Sequence, residues 1–417
     1  MKSNRSTFIV TGIILMALIA LAAITWGNYR FIHQNPEKSD FISRWAGARI
    51  FITQGVSPYS SQASREMQEL AYGWEDGPGV DDLQYMYPFY AVFIYAPFAL
   101  IGDLEWARAV WMTALEVGVL LIGVVGLYLS RWKIPKLLSV VLIVFAVTWF
   151  YSVQAVMDGN VAIFCVLAIS ACLLAIRYDM DVLAGFLLAI ASIKPQMVIL
   201  FILFVLIWAV SHRRWLIIWS FFGSVLLLFA LAILLLPDWI MQYLRQILPY
   251  IKDFQFTTPG SIFSDTLPGI GRQMGWALTG IMVLLLFLEW RAALGKDFHW
   301  FLWTANLTLV VTILVGIPSS IFNFVVLLPV LIFVLVTVGG RWGRSGRVLM
   351  IMSMVILWIS FWGIYLYNRS NGIPLTDQHI LYLVLPLLAI IGLYWVRWWS
   401  IQKQRLPLQE IADRLVD

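Results

Sequence analysis

Apolar runs of about 14 to 27 residues follow one another along nearly the whole chain, separated by short polar links, and this alternation leaves few folds open. Of the 417 residues, 61% are hydrophobic and 12% are charged. A soluble domain averages about 45–50% apolar and about 25% charged residues. Water cannot cover so much apolar surface. A bilayer can, provided each spanning segment satisfies its own backbone hydrogen bonds, which here points to helices. The 21 Trp and 16 Tyr fit the same reading, because both side chains favour the headgroup level and anchor helix ends.

The pattern predicts an all-α polytopic membrane protein with about twelve spans. The first is 8–26. The others are 104–130, 137–152, 160–176, 180–193, 195–211, 214–236, 273–292, 299–316, 320–338, 348–367 and 379–398. A signal peptide is the alternative for the first run, with Ala20-Leu21-Ala22 as a cleavage box. The apolar run continues through that box to Trp26, which favours an uncleaved anchor. The spans make one integral membrane domain over 1–417, and 399–417 reads as a cytoplasmic tail.

Residues 28–103 break the pattern. They are polar, rich in acidic residues, and punctuated by Pro36, Pro58, Gly77, Pro78, Gly79 and Pro88. Phe41, Trp45, Ala48 and Ile52 recur at the spacing of one helix face, so a helix on the membrane surface is expected there. The stretch Tyr87 to Ile101 is short and holds Pro88 and Pro97, and it reads as a juxtamembrane or re-entrant element. At Lys194-Pro195 two short runs meet. Proline cannot continue the preceding helix, so a hairpin turns there. Pairs of short or broken membrane helices tend to surround binding sites.

Charge placement sets an expected orientation. With both termini in the cytoplasm, that side receives more than half of the 28 Lys and Arg but fewer than a third of the 23 Asp and Glu. The positive-inside rule supports this topology. It makes 28–103 an extracytoplasmic loop. Counting 87–101 as a span would put Arg131, Lys133 and Lys136 outside.

Several polar residues are candidates for chemistry. Asp40 begins the expected surface helix. It reads either as an N-cap, accepting from free backbone N–H groups, or as a general base at the membrane surface. Lys194 sits at the tip of the broken hairpin. It either snorkels or pairs with an acid, or it is a counter-charge for a phosphate. Arg44 offers a second phosphate contact through its planar fork, or is a solvated surface residue. Asp158-Gly159-Asn160 fits a simple turn. Asp158, Asn160 and Asn323 are also candidates to line a polar cavity.

No phosphate-binding glycine loop is present. His33, His212, His299 and His379 are scattered without metal-ligand spacing, and His379 near Asp377 reads as a helix-end residue. Cys165 and Cys172 lie roughly 10 Å apart on a helix, too far for a disulfide, and read as packing residues. No metal or cofactor is expected. The basic residues sit in short links instead of gathering on a soluble face, which argues against nucleic-acid binding.

A set of segments carries a family resemblance. They are "WAGARIFITQGVSPY" from Trp45 to Tyr59, "YPFYAVFIYAPFALIG" from Tyr87 to Gly102, and "DGNVAIFCVLA" around Asn160. "LAGFLLAIASIKPQMVILFILF" around Lys194, "RRW" at Arg213 to Trp215, and "IPSSIFNFVVLLP" from Ile317 to Pro329 complete it. Their order resembles glycosyltransferase family 87, which has the GT-C fold and includes polyprenyl-phosphate-mannose-dependent mannosyltransferases. The resemblance implies a GT-C-like bundle and a lipid-linked sugar donor, probed from the extracytoplasmic side. It implies inverting transfer of a sugar, mannose by family, to a glycolipid or glycan acceptor. Asp40 would match the family's loop aspartate and act as base. Lys194 would match the hairpin lysine and steady the leaving phosphate. In the segment Ser320 to Phe324, where many members carry histidine, the polar residue here is Asn323.

Two other classes remain open on sequence grounds. A secondary transporter or lipid flippase would also use a broken hairpin, but it usually shows internal repeats and several polar residues deep in the spans. Here Glu116 is the main charged residue inside a span. A non-catalytic membrane assembly protein is the third.

Overall fold

The computed structural model describes residues 2–35, 39–72, 83–253, 258–315, 320–375 and 378–402. Among them every regular element is a helix. In chain order these are α1 (Lys2–Gln34), α2 (Asp40–Gln54), α3 (Ser61–Tyr72), α4 (Val92–Ala99), α5 (Leu104–Leu129), α6 (Lys136–Thr148) and α7 (Phe150–Met157). Next come α8 (Ala162–Arg177), α9 (Asp181–Ala191), α10 (Pro195–Ser211), α11 (Trp215–Leu235), α12 (Trp239–Asp253) and α13 (Pro259–Thr266). The last are α14 (Gly271–Ala293), α15 (Phe298–Leu314), α16 (Leu328–Arg341), α17 (Gly343–Ser370) and α18 (His379–Ile401). Short 3-10 segments, Phe89–Ala91 and Ile321–Leu327, lead into α4 and α16.

The protein is an all-α, membrane-embedded chain. Among the described residues, seven helices are long and apolar enough to cross a membrane: Val10–Gln34, Leu104–Leu129, Trp215–Leu235, Gly271–Ala293, Ile321–Arg341, Gly343–Ser370 and His379–Ile401. The pair α6 and α7, bent by 46°, makes an eighth if counted as one span. The break has a local cause. Trp149 is extended at the end of α6 (φ −64°, ψ 138°), and the carbonyl of Thr148 accepts from the indole N–H groups of Trp358 and Trp362 at 3.1 Å each. The remaining expected spans are helical but short. At about 1.5 Å per residue, the 11 residues of α9 and the 17 of α10 and α15 fall below the roughly 30 Å hydrocarbon core. The element at Tyr87 to Ile101 is an 11-residue helical piece, Phe89–Ala99, also too short to span.

The chain forms two compact units. The first comprises Met1–Val117, Val156–Asn160 and Ala232–Ile251, and the second the remainder. In the first, α2 does more than lie on a surface by one face. Phe41, Trp45 and Ala48 are buried as the spacing predicts, but Ile52 is exposed, and Ile42, Ala46 and Ile50 are buried as well. The reason is that α2 packs against α4 and α3 and is enclosed by aromatic rings. Trp45 Nε1 donates to the Phe98 carbonyl (3.0 Å) and Arg49 Nη1 to that of Ala99 (2.9 Å), which satisfies carbonyls at the end of α4. Gly47 is required where α2 meets Tyr85, since an added Cβ would lie 2.6 Å from Tyr85 Cδ2. The link after α11 is helical. Gln242 of α12 accepts from Ser57 Oγ (2.5 Å), and Gln246 donates to the Tyr59 carbonyl (2.9 Å).

α1 is pinned to α5 by a polar group. Thr25 and Thr113 hydroxyls stand 3.0 Å apart, and Asn28 Nδ2 donates to Thr113 Oγ1 and Glu116 Oε2, each at 3.1 Å. Glu116, a charged residue inside a span, is therefore an interhelical hydrogen-bond acceptor.

In the second unit, α15 is buried from Phe301 to Leu314. Its Asn306, Thr308 and Thr312 side chains donate back to carbonyls four residues earlier at 2.7–2.8 Å, which reconciles polar groups with burial. Cys165 and Cys172 are free and buried. The hairpin at Lys194 is present: α9 ends at Ala191, Lys194 is the N-cap of α10, and Pro195 takes its first position. His379 opens α18, 3.7 Å from Asp265 of α13, while Asp377 lies outside the described residues, as does most of the tail expected at 399–417.

Candidate functional site

The candidate residues fall into two clusters, one in each unit. In the first unit, Asp40 is the opening residue of α2, and Ser39 occupies the N-cap position in extended backbone (φ −142°, ψ 154°) without a side-chain cap. The Asp40 carboxylate does not cap its own helix either. Its Oδ1 lies 2.6 Å from Nη2 of Arg44, one turn along, and the Tyr87 hydroxyl donates to Oδ2 at 3.4 Å. Arg44 Nη1 also donates to Ser43 Oγ, and its Cζ stands 4.7 Å over the Tyr87 ring. The side chains of Arg44 and Asp40 keep only 12% and 19% exposure, so the pair is held in little water but Asp40 is not sealed. Burial alone would pull the Arg44 guanidinium down. Asp40, with Tyr87, Tyr95 and Asp158, more than offsets this and raises it, so the group stays cationic. Burial likewise pushes the Tyr85 hydroxyl up, against an opposing pull from Arg44.

Asp158 and Asn160 join this cluster from the turn that follows α7. The backbone N–H of Asp40 donates to Asp158 Oδ1 (3.3 Å), and Asn160 Nδ2 donates to Asp158 Oδ2 (2.9 Å). The turn is held in place from α5. Trp111 Nε1 donates to the Gly159 carbonyl (2.8 Å), and Arg108 Nη2 to that of Met157 (3.1 Å). Gly159 adopts φ +70° and packs so closely that an added Cβ would stand 2.7 Å from Phe41 Cβ. Asp158 is thus a bonded member of the turn at the start of α2.

The second unit holds Lys194 and Asn323. Lys194 is 4% exposed, so it does not snorkel. Its Nζ donates to Asn323 Oδ1 at 2.6 Å. Asn323 is itself buried in the segment Ile321–Leu327, and its N–H donates to the Ser320 carbonyl (3.0 Å). The amide oxygen accepts from the ammonium and holds it in place.

Residues 85–318, more than half of the chain, match glycosyltransferase family 87. The chain belongs to this family. Its members are glycosyltransferases, and the protein is therefore a sugar-transferring enzyme with sugar donor and acceptor substrates. No curated protein matches the sequence. Of the candidates, Asp158, Asn160 and Lys194 lie within the segment that matches family 87, and Asp40, Arg44 and Asn323 lie outside it. Tyr87, which sequence reasoning quoted in a motif without giving it a role, lies inside. A tyrosine followed by proline carries no sign of a partner 47 residues away, and only the tertiary contact with Asp40 reveals it.

Proposed function

We propose that this family 87 glycosyltransferase moves a sugar, mannose by family resemblance, from a polyprenyl-phosphate donor to a glycolipid or glycan acceptor. The reaction takes place on the extracytoplasmic side of the cell membrane, with both termini in the cytoplasm. The observation that carries the reading is the Asp40–Arg44–Tyr87 arrangement at the start of α2. A carboxylate paired with a guanidinium, and still partly open, is a proton acceptor in position.

In the proposed step the acceptor hydroxyl gives its proton to Asp40. Its oxygen attacks the anomeric carbon from the face opposite the leaving group, the bond to the phosphate oxygen breaks, and the configuration inverts. The polyprenyl phosphate leaves with the bonding electrons. By the family resemblance, Lys194 is assigned to the leaving phosphate, where a cation stabilises developing charge, and its Nζ donates to Asn323. Arg44 is assigned first to Asp40, its observed partner, and a donor-phosphate contact for its remaining N–H groups belongs to the same proposal. A phosphate leaving group of this kind needs no metal when a fixed cation is present, and none is proposed.

The test is to incubate the purified protein with a panel of polyprenyl-phosphate sugars and candidate acceptors and to measure release of free polyprenyl phosphate. Release with at least one donor is expected. Folded protein that releases nothing from any donor in the presence of acceptors overturns the reading.

A further inference from the structure

The first turn of α2 has an unusual source of hydrogen-bond acceptance. The first N–H groups of any helix lack partners within the helix, and a side chain at the N-cap normally supplies one. Ser39 stands at the N-cap here and makes no such bond. The acceptor comes instead from 118 residues away, as Asp158 Oδ1 receives the Asp40 N–H at 3.3 Å. A carboxylate at a helix N-terminus is also favoured by the helix dipole. Asp158 is in turn held by Asn160 at 2.9 Å. Its turn is bolted to α5 by Trp111 and Arg108, and Gly159 sits against Phe41, the next residue of α2. Every one of these contacts bears on where residue 40 stands.

We infer that Asp158 is a positioning residue for the transfer reaction: its carboxylate anchors the backbone of Asp40 and so fixes the point from which the Asp40 side chain meets its substrate. The inference rests on the proposed role of Asp40 and goes beyond it. Asp158 itself makes no contact with substrate in this account. Its effect passes through the N–H of residue 40, and the orientation of the Asp40 carboxylate is completed by Arg44 and Tyr87. Displacing a reacting group by about 1 Å costs about 10²-fold in rate, which sets the size of effect to look for.

The experiment compares Asp158→Ala, Asp158→Asn and Gly159→Ala by steady-state kinetics and by amide hydrogen exchange of residues 39–45. Asp158→Ala is expected to lower kcat about 10²-fold with KM held within about twofold, and to speed exchange in the first turn of α2. Asp158→Asn keeps an oxygen facing the Asp40 N–H and should restore most of the turnover. It also guards against mistaking misfolding for mispositioning. Gly159→Ala should resemble Asp158→Ala, because its Cβ pushes against Phe41 and its backbone lies in the left-handed region. In an Asp40→Asn background, Asp158→Ala should lower the residual rate no further, since both act through one group. Unchanged exchange in Asp158→Ala overturns the anchoring. A raised KM with normal kcat overturns the positioning role, because it makes Asp158 a substrate contact. An Asp158→Asn variant as impaired as Asp158→Ala also overturns it. If the unmodified protein releases no polyprenyl phosphate, the proposed reaction falls on its own, and the exchange measurement still decides whether Asp158 anchors α2.

Discussion

Asp40 and Arg44, one helical turn apart at the start of α2, form an ion pair with 2.6 Å between Oδ1 and Nη2. The pair is charge-assisted and largely shielded from water, where such contacts are strongest. Arg44 also lies over the Tyr87 ring at 4.7 Å, so its planar fork is engaged on an edge and on a face. Lysine carries a single point charge without the planar fork, so it cannot keep both contacts at once. Arg44→Lys should therefore keep the helix but lose about 10-fold or more in turnover, in line with the loss of one charge-assisted bond of about 1.5–3 kcal/mol. Circular dichroism and kcat measured on the same preparation check this. Full turnover in the lysine variant would remove Arg44 from the account.

Lys194 gives a second prediction. Its ammonium is buried and its bond to Asn323 is 2.6 Å. Lys194→Met removes the charge while keeping most of the volume. Turnover should fall at least about 10²-fold, the scale seen when a fixed electrostatic contact to a developing charge is lost. Asn323→Ala should cost less, since it leaves the charge in place. If the asparagine variant proves the more impaired of the two, the phosphate role passes from Lys194 to Asn323.

Stability can be tested away from any reacting group. Gly185 of α9 faces α11 so closely that an added Cβ would stand 2.4 Å from the Ile217 carbonyl oxygen and 2.7 Å from the Phe221 nitrogen. Both are backbone atoms, so no side chain can swing aside. Gly185→Ala should lower stability by about 1–3 kcal/mol through overpacking. Gly223 of α11 has nothing within 4 Å, and Gly223→Ala should be neutral or slightly stabilising. Thermal unfolding in detergent distinguishes the two. Equal Tm values would contradict the close approach of α9 and α11.

The fold class was legible because lipid imposes a simple rule on long apolar runs, and all twelve expected spans contain helix. Lengths were less legible. α9 has only 11 residues, because Lys194-Pro195 ends it in a turn, and local hydropathy does not report where a buried helix stops. α12 was passed over because Gln242, Arg245 and Gln246 keep it from reading as an apolar run, although they recur at helical spacing. Its Gln242 and Gln246 reveal their purpose only when Ser57 and Tyr59 are brought beside them. The same holds for the candidate site. Asp40 and Arg44 are four residues apart, so a helical pair was readable locally. Tyr87 and Asp158 reach Asp40 across 47 and 118 residues, and no periodicity encodes such contacts. Asn323 was noted as a departure from the family pattern, but its bond to Lys194 spans 129 residues and appears only in three dimensions.

The most direct test of the account is Asp40→Asn, an isosteric change that removes the proton acceptor and leaves the backbone bond to Asp158 available. The measurement is the single-turnover rate of polyprenyl phosphate release from a donor that the unmodified protein accepts. The predicted result is a loss of at least about 10²–10⁴-fold, the contribution of a positioned general base, with membrane insertion unchanged. An Asp40→Asn protein that transfers sugar at the unmodified rate would contradict the central claim.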